Sequence, residues 1–108
     1  MSRARYLVDW VNLLYGTGLW YYHSVNRKHQ RTLERIYQRP TSGTIPWRRI
    51  EALLRALGAA LDEREGSRIL VRLFGERRVF HRPHPSPATD KGAIESIRRW
   101  FEQNGVNP

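Results

Sequence analysis

From residue 44 onward, apolar positions follow first a helical and then an alternating rhythm. In TIPWRRIEALLRALG, Ile50, Leu53, Leu54 and Leu57 recur at i, i+3, i+4 and i+7, the stripe of an amphipathic helix. Pro46 suits its first turn and Gly58 its C-terminal cap. AALDERE reads as a short polar edge strand. GSRILVRLF has period two, with Ile69, Val71 and Leu73 on one face and Arg68, Leu70 and Arg72 on the other. Gly75–Glu76 marks a tight reversal. RRVFHR returns as a strand, with Val79 and His81 on one face and Arg78, Phe80 and Arg82 on the other. SPATDKG is a loop ending in Asp90, a helix-capping residue. GAIESIRRWFEQNG closes the pattern as a helix, with Ile94, Ile97, Trp100 and Phe101 inward and Gly105 as its stop. The predicted order is α-β-β-β-α. A three-stranded antiparallel sheet needs one face covered, so both helices are expected on one face, leaving the other open and rich in arginine.

Upstream of residue 44 the pattern is weaker. Residues 25–39 predict a short basic helix with Leu33, Ile36 and Tyr37 at helical spacing, stopped by Pro40. TSG, residues 41–43, is a linker. Residues 1–24 hold Trp10, Trp20 and the Tyr21–Tyr22 pair with little periodicity. The chain is thus expected to divide into an irregular segment 1–24, a helix and linker 25–43, and a regular domain 44–108. The abrupt change at Val25 suggests a valine codon that serves as the true start, with residues 1–24 absent from the native product; the alternative is a real aromatic appendage. Residues 7–22 are too short and too polar for a membrane helix, and Tyr21, Tyr22 and His23 stand where a secretory signal needs small residues. A soluble cytoplasmic protein is expected.

Charge narrows the function. The formal net charge is +9 with an isoelectric point near 11, and seventeen of the nineteen Lys and Arg residues are arginine. That balance favours a polyanionic partner, and arginine is the residue for planar, bidentate phosphate contacts. With no cysteine, a disulfide framework and a thiolate zinc site are excluded. HRPHP, residues 81–85, carries the HxxH spacing, but only Asp90 could easily complete a metal site there, so no metal and no cofactor are expected.

Four pieces together resemble the HicA family of toxin–antitoxin ribonucleases: IEALLRALGA, GSRILVRL, ERRVFHRPHP and KGAIESIRRWFEQNGV. The resemblance spans residues 44–106. It implies a double-stranded-RNA-binding-like α+β fold, cleavage of messenger RNA without a metal, and neutralisation by a HicB antitoxin. The family's catalytic histidine follows a Gly-Ser pair on the second strand. Here Gly66–Ser67 is followed by Arg68. His84 corresponds to the family's histidine near the end of the third strand, and His81 is an addition.

Metal-free RNA cleavage needs a base for the 2′-hydroxyl, an acid for the leaving oxygen, and cations for the charged phosphorane. Histidine suits the first two roles, with an unperturbed pKa of about 6.5. Arginine cannot act as a base but can stabilise transition-state charge. Arg68 therefore reads as a clamp beside a relocated histidine, as the mark of a non-cleaving RNA- or DNA-binding module, or as a solvated strand residue. His81 and His84 are the acid–base candidates, or else exposed residues of a rigid loop. Ser67, Arg68, Arg72, Arg78, Arg82 and Lys91 are expected to hold RNA, the arginines and lysine on one basic surface. A purely protein-binding domain is a third reading. Trp47 and Trp100 are expected in the core.

Overall fold

A computed structural model describes residues 26–108 of the chain. The segment 1–24 and the proposed start at Val25 lie outside the described residues.

The element order is α1 (Arg27–Tyr37), α2 (Trp47–Ala56), β1 (Ala60–Arg64), β2 (Arg68–Leu73), β3 (Glu76–His81) and α3 (Lys91–Gln103). From α2 onward this is the α-β-β-β-α order expected from the pattern, and the fold is α+β of the double-stranded-RNA-binding type. The strands form one antiparallel sheet in the order β1-β2-β3. The apolar stripe of α2 (Ile50, Leu53, Leu54) and that of α3 (Ile94, Ile97, Trp100, Phe101) bury against Ile69, Val71, Leu73 and Phe80 of the sheet.

Helix ends follow the local signals. Asn26 caps α1 by accepting from the His29 amide at 2.9 Å, and Asp90 caps α3 by accepting from the Ala93 amide at 3.1 Å. Gly58, at φ 104°, ends α2 in a Schellman turn: the Ala59 N–H reaches Leu54 O at 2.9 Å and the Gly58 N–H reaches Arg55 O at 3.0 Å. Val106 repeats this after α3, donating to Phe101 O at 3.0 Å.

Two turns set the sheet register. β2 and β3 join through Phe74 and Gly75, both at positive φ (58° and 72°), the signature of a two-residue type I′ hairpin. A phenylalanine in that conformation is an outlier. Its ring packs edge-on against Trp100 and Phe101, at 5.4 and 6.3 Å, which offsets the backbone cost. β1 and β2 join through a single 3-10 turn, Glu65–Ser67, with Gly66 and Ser67 at φ 72° and 62°.

α1 packs into the same core as the later helices. Thr32, Leu33 and Ile36 are buried, and the Tyr37 hydroxyl donates to the Val106 carbonyl. Arg98 of α3, only 3 % exposed, extends beneath the end of α1. It donates to Ile36 O at 3.4 Å, Gln38 O at 3.3 Å and Thr41 Oγ1 at 2.7 Å. A buried guanidinium thus satisfies carbonyls that the helix end leaves free.

The β3–α3 connection is stitched to the segment before α2. The Trp47 amide donates to Pro87 O at 2.9 Å, and the Thr89 amide to Ile45 O at 2.8 Å. These bonds hold the loop that carries His84.

Candidate nucleic-acid interface

Alternation fixes which strand residues leave the core. Ile69 lies opposite Phe80 and Val71 opposite Leu61, and these face the helices. The intervening residues point to the open face, where register aligns them in rows. Arg64, Arg68 and His81 form one row, Asp62, Leu70 and Val79 the next, and Ala60, Arg72 and Arg77 the third. Rows two residues apart are separated by about 6.7 Å along the strands, so the two basic rows lie roughly 13 Å apart.

His81 is the direct cross-strand neighbour of Arg68. The Arg82 amide donates to Ser67 O at 2.8 Å, so the Ser67–Arg82 pair is hydrogen-bonded. Alternation then makes Arg68–His81 a non-hydrogen-bonded pair, the type whose Cα atoms approach to about 4.5 Å and whose side chains lie closest. Both side chains are exposed. The Arg68 Nε–H donates to Glu65 O at 2.9 Å, which leaves its terminal nitrogens without partners among the described residues.

Like charges lie opposite one another on this face, Arg64 against Arg68 and Arg72 against Arg77. Such pairs are destabilising when bare. Asp62 compensates Arg72 at 2.7 Å. Arg64 and Arg77 form no ion pair among the described residues. Between the basic rows lie Val79, 54 % exposed, and its neighbour Leu70, 5 % exposed.

The single basic surface expected from Arg68, Arg72, Arg78, Arg82 and Lys91 divides. Arg68 and Arg72 are on the open face. Arg78 shares the parity of Phe80 and turns to the helix side, where its guanidinium stacks 4.8 Å from the Trp100 ring centre and pairs with Glu76 at 3.3 Å. Glu76 also accepts from the Trp100 indole at 2.6 Å. Arg82 is held by Glu51 at 2.9 Å and Glu63 at 3.0 Å, and the hydrogen bonds to these carboxylates raise its pKa. Glu51 also accepts from the Trp47 indole. Lys91 opens α3, and its aliphatic stem lies against Gly43. Ser67 is exposed in the β1–β2 turn, one residue before Arg68.

His84 lies in the loop after β3. It lines an open cleft of about 390 Å³ together with His81 and Asp90. The two histidines therefore border one space, with Arg68 across the strand from the first. Among the described residues no group of three or more His, Cys, Asp or Glu side chains is arranged to hold a metal ion. No helix among them is long and apolar enough to cross a membrane.

Arg64 and Arg77 were not among the expected binding residues. The alternation that placed Val79 and His81 outward also places Arg77 outward. Arg64 depends on the register across the 3-10 turn, which no pattern announces.

The arginine-lined sheet backed by helices defines a small basic α+β protein whose fold is double-stranded-RNA-binding-like. A family model for the HicA toxin of bacterial toxin–antitoxin systems matches residues 47–106, more than half of the chain. The chain belongs to the HicA toxin family. Comparison with curated proteins and with solved structures gave no match.

Proposed function

We propose that this chain is the toxin of a toxin–antitoxin pair that binds messenger RNA on its open sheet face and cleaves it without a metal. The observation that carries the reading is the Arg68–His81 cross-strand pair on a face lined by Arg64, Arg72 and Arg77. A phosphate held by Arg64 and Arg68 lies beside His81, and His84 lines the same cleft as His81. The two imidazoles divide the proton transfers. One takes the 2′-hydroxyl proton as the oxygen attacks phosphorus; the other protonates the departing 5′-oxygen. Arg68 stabilises the charge that builds on the non-bridging oxygens. The products are a 2′,3′-cyclic phosphate and a 5′-hydroxyl.

Arg78 and Arg82 serve this reading from behind the sheet. Arg82 fixes the strand end between the histidines, and Arg78 anchors β3 to Trp100. A HicB-like antitoxin that lays acidic groups over Arg64, Arg68, Arg72 and Arg77 blocks the RNA site. Location in the cytoplasm follows from such a substrate.

A second reading has one observation in its favour. Arginine stands at position 68, where the resemblance places a histidine, and it cannot take a proton. On that reading the face binds RNA or DNA without cutting. Incubation of RNA with the protein in EDTA separates the two. Cyclic-phosphate ends, lost when the attacking 2′-hydroxyl is replaced by hydrogen, support cleavage. Salt-dependent binding with intact RNA supports the binder.

A further inference from the structure

The cleft between β3 and α3 offers more than a border for two histidines. Pro83, Pro85 and Ala88 supply apolar wall, and Ser86 and Asp90 supply polar groups. At about 390 Å³ it is of the size that accepts a flat heterocycle. Thr89 also lines the cleft but is 1 % exposed, and its enclosed hydroxyl has no hydrogen-bond partner among the described residues. Asp90 Oδ1 accepts from the Ala93 amide as the α3 cap, which leaves the second carboxylate oxygen without a hydrogen bond among the described residues.

We propose that this cleft takes one base of the bound RNA and selects bases that carry an exocyclic amino group, with Asp90 as the selecting residue. The inference rests on the reading of the open face as an RNA site. Its logic is one of acceptors and donors. An ionised carboxylate only accepts hydrogen bonds. Adenine, cytosine and guanine each bring an amino donor to it. Uracil flanks its single ring N–H with two carbonyl oxygens, which the carboxylate repels. Single-stranded RNA is read in this way, with the base splayed out, stacked on flat side chains and bonded along its edge. His81 belongs both to the row that faces the phosphate and to the wall of the cleft, so one nucleotide spans both. Asp90 is a specificity-determining residue here, with no part in the proton transfers.

The test uses the full-length isotope-labelled chain and four probes: AMP, CMP, GMP and UMP, followed by NMR. The three amino-bearing nucleotides are expected to shift the amides of Ser86, Ala88, Thr89 and Asp90, and UMP to bind about tenfold more weakly, the factor of one hydrogen bond to a charged group. Asp90→Asn keeps the helix cap, because asparagine caps as well as aspartate, and it turns an acceptor into a donor. It is expected to remove the preference or reverse it towards UMP. Equal shifts by all four nucleotides, or a preference unchanged in Asp90→Asn, overturn the proposal. Shifts confined to Arg64, Arg68, Arg72 and Arg77 overturn it while leaving the RNA face intact. No shift anywhere removes both.

Discussion

Arg77 and Arg82 are both arginines of one short basic run, yet the structure gives them opposite duties. Their substitution by methionine, which keeps most of the aliphatic stem, separates those duties. Arg82 bridges Glu51 of α2 and Glu63 of β1. Glu63 is 75 % exposed, so that pair is worth at most about 1 kcal/mol. Glu51 is 17 % exposed and also accepts from Trp47, so losing Arg82 strips a partly buried carboxylate of one partner. Together these give a loss of about 1–2 kcal/mol for Arg82→Met. In a domain of this size that is a fall of roughly 5–15 °C in Tm. Arg77 faces Arg72 and forms no ion pair among the described residues, so Arg77→Met is expected to leave stability unchanged or slightly raised. Affinity for a single-stranded RNA, measured against salt, reads the other half. Losing one phosphate contact lowers the slope of log affinity against log salt by about 0.7. Arg77→Met is expected to show that drop and Arg82→Met none, compared at a temperature where both are folded. An Arg82→Met variant that lowers the slope as Arg77→Met does, or that melts with the wild type, would refute this division of duties.

Arg98→Met removes the guanidinium that three acceptors share under the end of α1. Urea unfolding is expected to show a loss of about 2–4 kcal/mol, reduced from the sum of the lost bonds because the buried charge is also removed. Tyr37 has its pKa raised above the ordinary value, first by burial and then by Glu102, against an opposing effect of Arg98. The folded state therefore keeps a proton that the unfolded chain releases above about pH 10. The contribution is complete below that pH and lost as pH rises further. Thermal melts from pH 8 to 11.5 should fall at the alkaline end more steeply for wild type than for Tyr37→Phe. That variant should also lose about 1 kcal/mol at neutral pH for the bond to Val106. Asp90→Ala is expected to cost about 1 kcal/mol as a lost helix cap, and Asp90→Asn almost nothing, by the same melts.

Local patterns announced most of the scaffold. The stripe from Ile50 to Leu57, the alternation from Arg68 to Leu73 and the Asp90 cap are each set by neighbours within a turn or a strand. They reappear in the structure, as do Trp47 and Trp100 in the core. What stayed hidden depends on partners far away in the chain. Alternation already paired Arg78 with Phe80 on one face, and it is the Trp100 ring, 22 positions on, that lets a cation sit on the core side. Arg82 finds Glu51 across 31 positions. Arg64 meets Arg68 only because Gly66 and Ser67 turn the chain within three residues. The proximity of His81 to Arg68 has the same origin, since register is a property of the pair of strands. The pattern separates the basic helix of residues 25–39 from the regular domain by a linker, and Arg98, buried without a carboxylate partner among the described residues, ties that helix to the core.

The central claim is that His81, facing Arg68, and His84 carry out metal-free RNA cleavage. Its most direct test is the single-turnover cleavage rate of one RNA in EDTA by wild type, His81→Ala and His84→Ala, each shown to be folded and to bind that RNA with unchanged salt dependence. Wild type is expected to cleave measurably and each variant to lose about 100-fold or more, the scale of a general acid or base. Equal rates in all three proteins, or an intact RNA in every tube, would contradict it.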